Sequence, residues 1–291
     1  MENPLRGVLL LLAATMLFSC SDALAKYLGQ HLPVIEILWI RYCCFVAMAT
    51  GIYLGSGRPR LRVRAPAVQA MRGLGVLGSG IFFVFGLRQM AMADAAAINF
   101  TSPLMITLLA VPVLGEVVGL RRWLALAAGL VGVLIIIRPG LASFHAGAGL
   151  VLMSSLAWAV GSVLTRRLAA TDHPATTLLW SAVTGLLVLS LMLPAVAVAP
   201  PWRLLGLTVL MGLVASSAQY LLVLAYRHAG ASVLAPFSYV QLLWSTALGY
   251  LVFAGLPDGW TVAGAAVIVA SGLYSANRER IRARELRPAQ V

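Results

Sequence analysis

The chain has 291 residues, of which 61% are hydrophobic and only 10% are charged. Soluble domains average about 45–50% apolar and about 25% charged residues, so this composition excludes a soluble globular domain, a disordered chain and a disulfide scaffold. The formal net charge of +12 would point to nucleic acid only if the basic residues lay on a soluble surface. The class that remains is a polytopic membrane protein.

Ten apolar runs are long enough, alone or with neighbouring residues, to form membrane-spanning helices of about 20 residues. Lipid offers no partner to free backbone groups, and the alternation typical of barrel strands is absent, so the runs are predicted to be helices. They are Val8–Leu28, Val34–Leu54, Val68–Leu87, Ala95–Leu114, Trp123–Ile137, Leu150–Leu168, Thr176–Val198, Leu204–Tyr226, Ser232–Phe253 and Thr261–Ser275. The predicted fold class is an all-α membrane protein with ten transmembrane helices.

The basic residues are divided unevenly between the two sides of such a bundle. Alternating the ten helices places 16 of the 21 lysines and arginines on one side, with the densest groups before residue 73 and after residue 277. Because loops rich in lysine and arginine stay in the cytoplasm, both termini are predicted to be cytoplasmic in a bacterial inner membrane. The charge therefore predicts membrane lipid, and not nucleic acid, as a partner.

The two halves of the chain can be aligned at nearly constant shifts of 137 to 141 residues. The aligned pairs include Phe18 with Trp158, Asp22 with Ser162, Ser79 with Ser216, Phe83 with Tyr220 and Trp123 with Trp260. We predict two five-helix repeats, residues 1–140 and 141–276, followed by a basic tail, residues 277–291. Five is an odd number, so the second repeat is inverted relative to the first. Inverted repeats around a midplane cavity are typical of secondary transporters.

Several motifs carry a resemblance to a known family. They are Leu114-Gly115-Glu116, Arg121-Arg122-Trp123, Arg138-Pro139-Gly140, Leu256–Trp260, the small-residue run Gly264–Tyr274, and Arg41-Tyr42. The chain resembles the EamA-type drug/metabolite transporter superfamily, which implies a ten-helix inner-membrane carrier that usually exports small metabolites or drugs. Within that superfamily it resembles the YddG-type amino-acid exporters. The family often has a glutamate before the last helix, but this chain has Gly255 there, so a gating role of Glu116 would exist in one half only.

Three charges are predicted to lie within or near the membrane, where charge is expensive and usually faces the protein interior. Asp22 and Lys26 share a helix face. Asp22 is a candidate for proton or cation coupling, and the alternative is a neutral salt bridge with Lys26. Arg41 is a candidate ligand for a substrate carboxylate; the alternative is a structural lock on helix ends.

Polar and aromatic side chains at mid-membrane depth are the candidate substrate contacts. Asn99 and Gln241 lie in polar patches beside prolines, where a bent helix needs partners or a wet cavity, although helix–helix hydrogen bonds would explain them equally well. Trp158 lies about nine residues into its run, too deep for an interfacial belt, and is expected to line a cavity. The predicted substrate-binding residues are Ser79, Phe83, Asn99, Trp158, Tyr220, Tyr239 and Gln241.

Small residues four apart, such as Gly75 with Ser79 and Ala128 with Gly132, allow close helix contact. That contact lies either within the bundle or between two copies, so the oligomeric state stays open.

The sequence therefore predicts a secondary carrier that exports a small metabolite, with aromatic or neutral amino acids as the favoured cargo, by alternating access. The alternatives are a carrier or facilitator of drug cations, nucleosides or other metabolites without ion coupling, and a membrane-embedded enzyme. Motifs for phosphate, dinucleotide or metal sites are missing, so no cofactor and no enzyme activity is expected.

Overall fold

The computed structural model describes residues 4–57, 63–115, 120–137, 146–168, 171–229 and 231–285. These residues are almost entirely helical and contain no β-strand, which confirms the all-α class for the described chain. The helices are α1 (Pro4–Leu28), α2 (Val34–Gly55), α3 (Pro66–Leu87), α4 (Met92–Asn99), α5 (Ser102–Leu114), α6 (Leu120–Ile137), α7 (Ala146–Leu168), α8 (Pro174–Met192), α9 (Trp202–His228), α10 (Ala231–Ser238), α11 (Val240–Phe253) and α12 (Gly259–Glu285).

Seven helical segments of the described chain are long and apolar enough to cross a membrane, counting α4 and α5 together, and three shorter apolar helices accompany them. The main difference from the predicted spans is that the fourth and the ninth are each broken into two helices, at Phe100–Thr101 and at Tyr239. The helix predicted to end at Val198 ends at Met192. The last helix continues past Ser275 to Glu285, so the predicted tail begins as helix.

The helices of the first half, α1 to α6, pack chiefly on helices of the second half, α7 to α12. The largest contacts join α3 to α7, α1 to α9, α6 to α12 and α2 to α8. The larger contacts have counterparts when α1 to α6 are exchanged with α7 to α12: α3–α7 corresponds to α9–α1, α5–α7 to α11–α1, and α3–α8 to α9–α2. The two halves are therefore interleaved.

Small residues let the backbones of α6 and α12 approach closely. A Cβ atom added to Gly132 would lie 2.8 Å from the Gly264 carbonyl oxygen, and one added to Gly264 would lie 2.5 Å from the Gly132 oxygen. On the α3–α7 contact, a Cβ on Gly75 would lie 2.9 Å from the Ala157 oxygen. These glycines therefore serve contacts within the bundle.

The two largest buried apolar cores are each built from both halves and hold the helices in place. One contains Leu38 and Val84 of the first half with Met211 of the second. The other contains Ile98 of the first half with Ile268 of the second. Large apolar side chains elsewhere point outward, as expected of a surface in contact with lipid.

Candidate functional site

A cavity of about 370 Å³ lies between the two halves, at the middle of the helices that line it. Helices α1 to α5 form its first-half wall, and α7, α9, α10 and α11 form its second-half wall. Its size is at the lower end of the range for small-molecule sites, about 300–1,000 Å³.

The structure brings together seven of the predicted site residues around this cavity. They are Asp22, Arg41, Ser79, Phe83, Asn99, Trp158 and Gln241. Lys26, Tyr220 and Tyr239 do not line it. Glu116 lies outside the described residues.

The first-half wall carries the two opposite charges of the cavity lining. Asp22 on α1 and Arg41 on α2 both face the cavity, and the Arg41 guanidinium acts electrostatically on the Asp22 carboxyl group. Both residues are partly accessible. The arrangement offers an acceptor for an ammonium group and a bidentate donor for a carboxylate.

Lys26 does not serve as the partner of Asp22. Its ammonium group donates to the Met90 carbonyl oxygen and lies 5.3 Å from the centre of the Phe253 ring, while the carboxylate that acts on it is that of Asp94. The salt bridge considered for Asp22 and Lys26 is therefore replaced by contacts that join α1 to α4 and α11.

The break between α4 and α5 brings polar backbone to the cavity. Pro103 lies in the first turn of α5, and the Asn99 carbonyl oxygen accepts a hydrogen bond from Ser102 at 2.6 Å. The Ser155 hydroxyl group, which donates to the Val151 carbonyl oxygen at 3.1 Å, also lies 3.4 Å from the Asn99 side-chain oxygen. Side chains thus satisfy the backbone that the break releases, and the Asn99 amide nitrogen stays available to the cavity.

The second break, at Tyr239, differs from the first because the Tyr239 side chain does not line the cavity. The Tyr239 hydroxyl group points at α12, where it occupies the space that a side chain on Gly272 would need. Its ring stacks on Phe100, with centroids 4.9 Å apart. Gln241, two residues later, does line the cavity, and its carbonyl oxygen accepts from Ser19 at 3.5 Å.

Aromatic rings form much of the remaining lining. Trp158 on α7 is 39% exposed, and it meets the cavity together with Phe18, Phe83 and Phe100. Such a wall stacks on apolar rings and attracts cations. Tyr220, in contrast, is 45% exposed on the outside of α9.

Three cavity residues on α9 escaped prediction. They are Ser216, Gln219 and Tyr226, which follow each other at helical spacings of three and seven residues. That spacing was the available signal, since it places all three on one face of the helix.

Tyr42, on the first-half wall, was also missed, and it lies between the cavity and the partly buried Arg72. Tyr42 is close enough to both Arg41 and Arg72 to feel their charges, and its ring fills the space beside Gly185. By sequence alone, Arg72 is only one of the group of basic residues before residue 73.

Arg72 is the centre of a polar cluster between the halves. Its guanidinium donates to Thr165 Oγ1 at 2.8 Å, to the Thr177 carbonyl oxygen at 2.9 Å, and to Ser181 Oγ. One turn earlier, Gln69 donates to Asp172 at 2.7 Å. We call this the Arg72 cluster; it ties α3 to α7 and α8. The contacts of Lys26 with Met90, Asp94 and Phe253 form the Lys26 cluster, which ties α1 to α4 and α11.

A family model described as "EamA-like transporter family" matches residues 5–138 of the chain and again residues 145–275. The chain belongs to the EamA-like transporter family. This confirms the family expected from the motifs, and together with the apolar helices it makes the chain a multi-pass membrane protein.

Relatives within this family carry names of metabolite transporters. The chain is 24% identical to an S-adenosylmethionine uptake transporter of Rickettsia prowazekii over 94% of its own length and 93% of the relative. It is 36% identical to a riboflavin transporter of Rhizobium johnstonii, over 70% of this chain and 68% of that one. It is 28% identical to a pseudopaline exporter of Pseudomonas aeruginosa, over 90% and 93%. The family member described here is thus a small-metabolite transporter.

A solved crystal structure shares the fold. Its TM-score is 0.66 at 20% identity, and the match covers 95% of this chain and 99% of the other. At this identity the likeness establishes the fold alone.

Proposed function

We propose that this family member is a secondary carrier that exports aromatic or neutral amino acids by alternating access across a bacterial inner membrane, with both termini cytoplasmic. The observation that carries the proposal is the pair of opposite charges, Asp22 and Arg41, in one wall of a central cavity that is otherwise aromatic and neutral. A zwitterion matches that pair, because its ammonium group suits the carboxylate and its carboxylate suits the guanidinium.

The aromatic lining supports the choice of side chain. Trp158, Phe83 and Phe18 offer faces and edges to a ring of the substrate, and Ser79 and Asn99 add neutral polar groups beside them. A mostly apolar site with a few placed polar groups is typical of small-molecule recognition.

Alternating access is supported by the repeat. The family model matches the chain twice. The larger contacts between helices recur when α1 to α6 are exchanged with α7 to α12. Two inverted copies of one unit provide two pseudo-equivalent states, each with one end of the cavity closed. In this proposal the Arg72 cluster closes the cytoplasmic end and the Lys26 cluster closes the opposite end, and each opens in turn.

Asp22 is the proposed coupling residue. Among the described residues that line the cavity it is the one carboxylate, and it lies at the proposed ammonium site. A carboxylate that releases its proton as it binds an ammonium group exchanges the proton for substrate. A proton gradient would then drive export.

A planar nitrogen heterocycle is a second candidate cargo. Relatives are named for riboflavin and S-adenosylmethionine, and the amides of Asn99, Gln219 and Gln241 all line the cavity, where they can pair with ring donors and acceptors.

The test is a counterflow screen in proteoliposomes loaded with radiolabelled amino acids, riboflavin, S-adenosylmethionine or a lipophilic drug cation. We expect saturable exchange of aromatic amino acids, weakened by Trp158→Ala and Asn99→Ala. Tyr220→Ala is the matched control, since Tyr220 lies outside the cavity and should leave exchange unchanged. Exchange of the heterocycles alone would favour the second candidate, and exchange untouched by both cavity variants would overturn the site.

A further inference from the structure

The second-half wall of the cavity carries a hydroxyl group without a partner. Ser216 on α9 is only 7% exposed and lines the cavity, yet its Oγ atom has no hydrogen-bond partner within the described chain. A buried hydroxyl group left unpaired costs free energy, so such groups are uncommon and need an explanation. A ligand that enters the cavity and supplies the missing partner is such an explanation.

The matching position of the first half shows what this wall lacks. Ser79, which aligns with Ser216, shares a hydrogen bond of 3.1 Å with the Ser154 hydroxyl group, and Ser154 also lies 2.9 Å from the Ser79 carbonyl oxygen. At the shift of 140 that relates α1 to α7, the position matching Ser154 is Ala14, which has no hydroxyl group. The chain thus pairs the serine of one half and leaves its counterpart open.

The geometry of α9 sets the distance from the charged pair. At Gly212 the helix touches α2, where an added Cβ atom would lie 3.2 Å from Arg41 Cα. Ser216 lies one turn further along α9, about 6 Å, and Gln219 about 10 Å. Ser216 and Gln219 therefore both lie within about 10 Å, along α9, of the point where this helix contacts Arg41, and both line the same cavity.

We propose that Ser216, assisted by Gln219, is a specificity-determining residue that selects amino acids with a hydrogen-bonding group in the side chain over hydrocarbon analogues of the same shape. This inference rests on the proposed function, because it takes the amino-acid head to be held by Asp22 and Arg41. A site built to hydrogen-bond a substrate group rejects the analogue that lacks it, since its own polar group is then left buried and unpaired.

The experiment compares pairs of amino acids of similar shape that differ in one polar group: valine with threonine, leucine with asparagine, and phenylalanine with tyrosine. Each competes with a radiolabelled amino acid in counterflow through proteoliposomes, for the wild type, Ser216→Ala and Ser271→Ala. Ser271 is the matched control: it is also 7% exposed, but its hydroxyl group donates to the Ile268 carbonyl oxygen at 3.0 Å, outside the cavity.

For the pair whose polar group reaches Ser216, we expect the wild type to favour the polar member by about tenfold. Ser216→Ala should reduce that preference to about twofold or less through weaker binding of the polar member, and Ser271→Ala should keep it. Equal competition by both members of every pair, or a preference that survives Ser216→Ala, would overturn this inference alone. No competition by any amino acid would overturn the proposed function and this inference with it.

Discussion

The two walls of the cavity differ in chemistry although the two halves resemble each other in packing. The first half supplies both charges, Asp22 and Arg41, whereas the aligned position of Asp22 in the second half is Ser162. The second half supplies the neutral groups Ser216 and Gln219 and the ring of Trp158. The two halves thus share their main packing contacts, whereas both charges of the described cavity lining lie in the first-half wall.

This difference gives the substrate a direction in the site. With both charges in one wall, a zwitterion has one favourable orientation, and its side chain faces the neutral wall. Two identical walls would instead offer two orientations of equal energy. In this account the charged wall provides general recognition of amino acids, and the neutral wall discriminates between them.

Removing a charge from the first wall is expected to have the largest effect. Asp22→Asn and Arg41→Gln should each lower transport at low substrate concentration by about 100-fold or more, because one charged group of the substrate then loses its charged partner in the cavity. Initial rates of uptake into proteoliposomes measure this. Arg203→Gln removes a surface charge that lies over Trp202, 5.4 Å from its ring, and should transport like the wild type. Full activity of both cavity variants would contradict the proposal that Asp22 and Arg41 hold the substrate.

The close contact between α6 and α12 is the place to test the packing between the two halves. Gly264→Val would drive a side chain into the Gly132 backbone, and overpacking of this kind costs about 1–3 kcal/mol. The melting temperature in detergent should fall. Gly51→Val serves as the control, since nothing lies within 4 Å of a Cβ atom there. Equal stability of the two variants would mean that the α6–α12 contact is not close.

Removing the Arg72 cluster and removing the Lys26 cluster should have different effects on the distance between α3 and the α7–α8 connection. Arg72→Met deletes the donor that joins α3 to α7 and α8, and Lys26→Met deletes the donor that joins α1 to α4 and α11. Spin labels at Ala67→Cys and Thr171→Cys, in a background without the native cysteines, report the separation of α3 from the α7–α8 connection.

We expect Arg72→Met to shift this distance distribution to longer values and Lys26→Met to leave it unchanged or shorten it. The same shift in both variants would contradict the assignment of the clusters to opposite ends.

The smallest expected effect concerns the residues that end α5 and α11. Gly115 has a φ of +69° and Ala254 a φ of +53°, so the two halves use a left-handed residue at corresponding helix ends, but only the first uses glycine. Ala254→Gly should raise stability by up to about 1 kcal/mol, and Gly115→Ala should lower it by a similar amount. Thermal unfolding of both variants measures the difference, and a loss of stability in Ala254→Gly would contradict the reasoning.

Much of the fold could be read from the sequence, because apolar runs and their flanking charges are direct consequences of the membrane. The helix breaks at Phe100–Thr101 and Tyr239 were not predicted, since a hydropathy window averages over a break. Pro103 was the local signal for the first of them. The crossing count, the inversion and the orientation remain predictions.

The candidate site was predicted less evenly. Mid-helix polar residues such as Asn99 and Gln241 do line the cavity. Tyr220 does not, because it follows Gln219 by one residue, and one residue rotates the side chain by about 100° around the helix. Arg72 was missed because a charge near a helix end looks like a topology signal until its partners on other helices are known.

The most direct test of the charged wall measures binding of three forms of one aromatic amino acid to the purified protein: the zwitterion, its carboxamide and its deaminated acid. The wild type should bind the zwitterion at least about tenfold more tightly than either analogue. Arg41→Gln should abolish the preference over the carboxamide, and Asp22→Asn should abolish the preference over the deaminated acid. Preferences that are unchanged in both variants would contradict the central claim that these two charges hold the substrate.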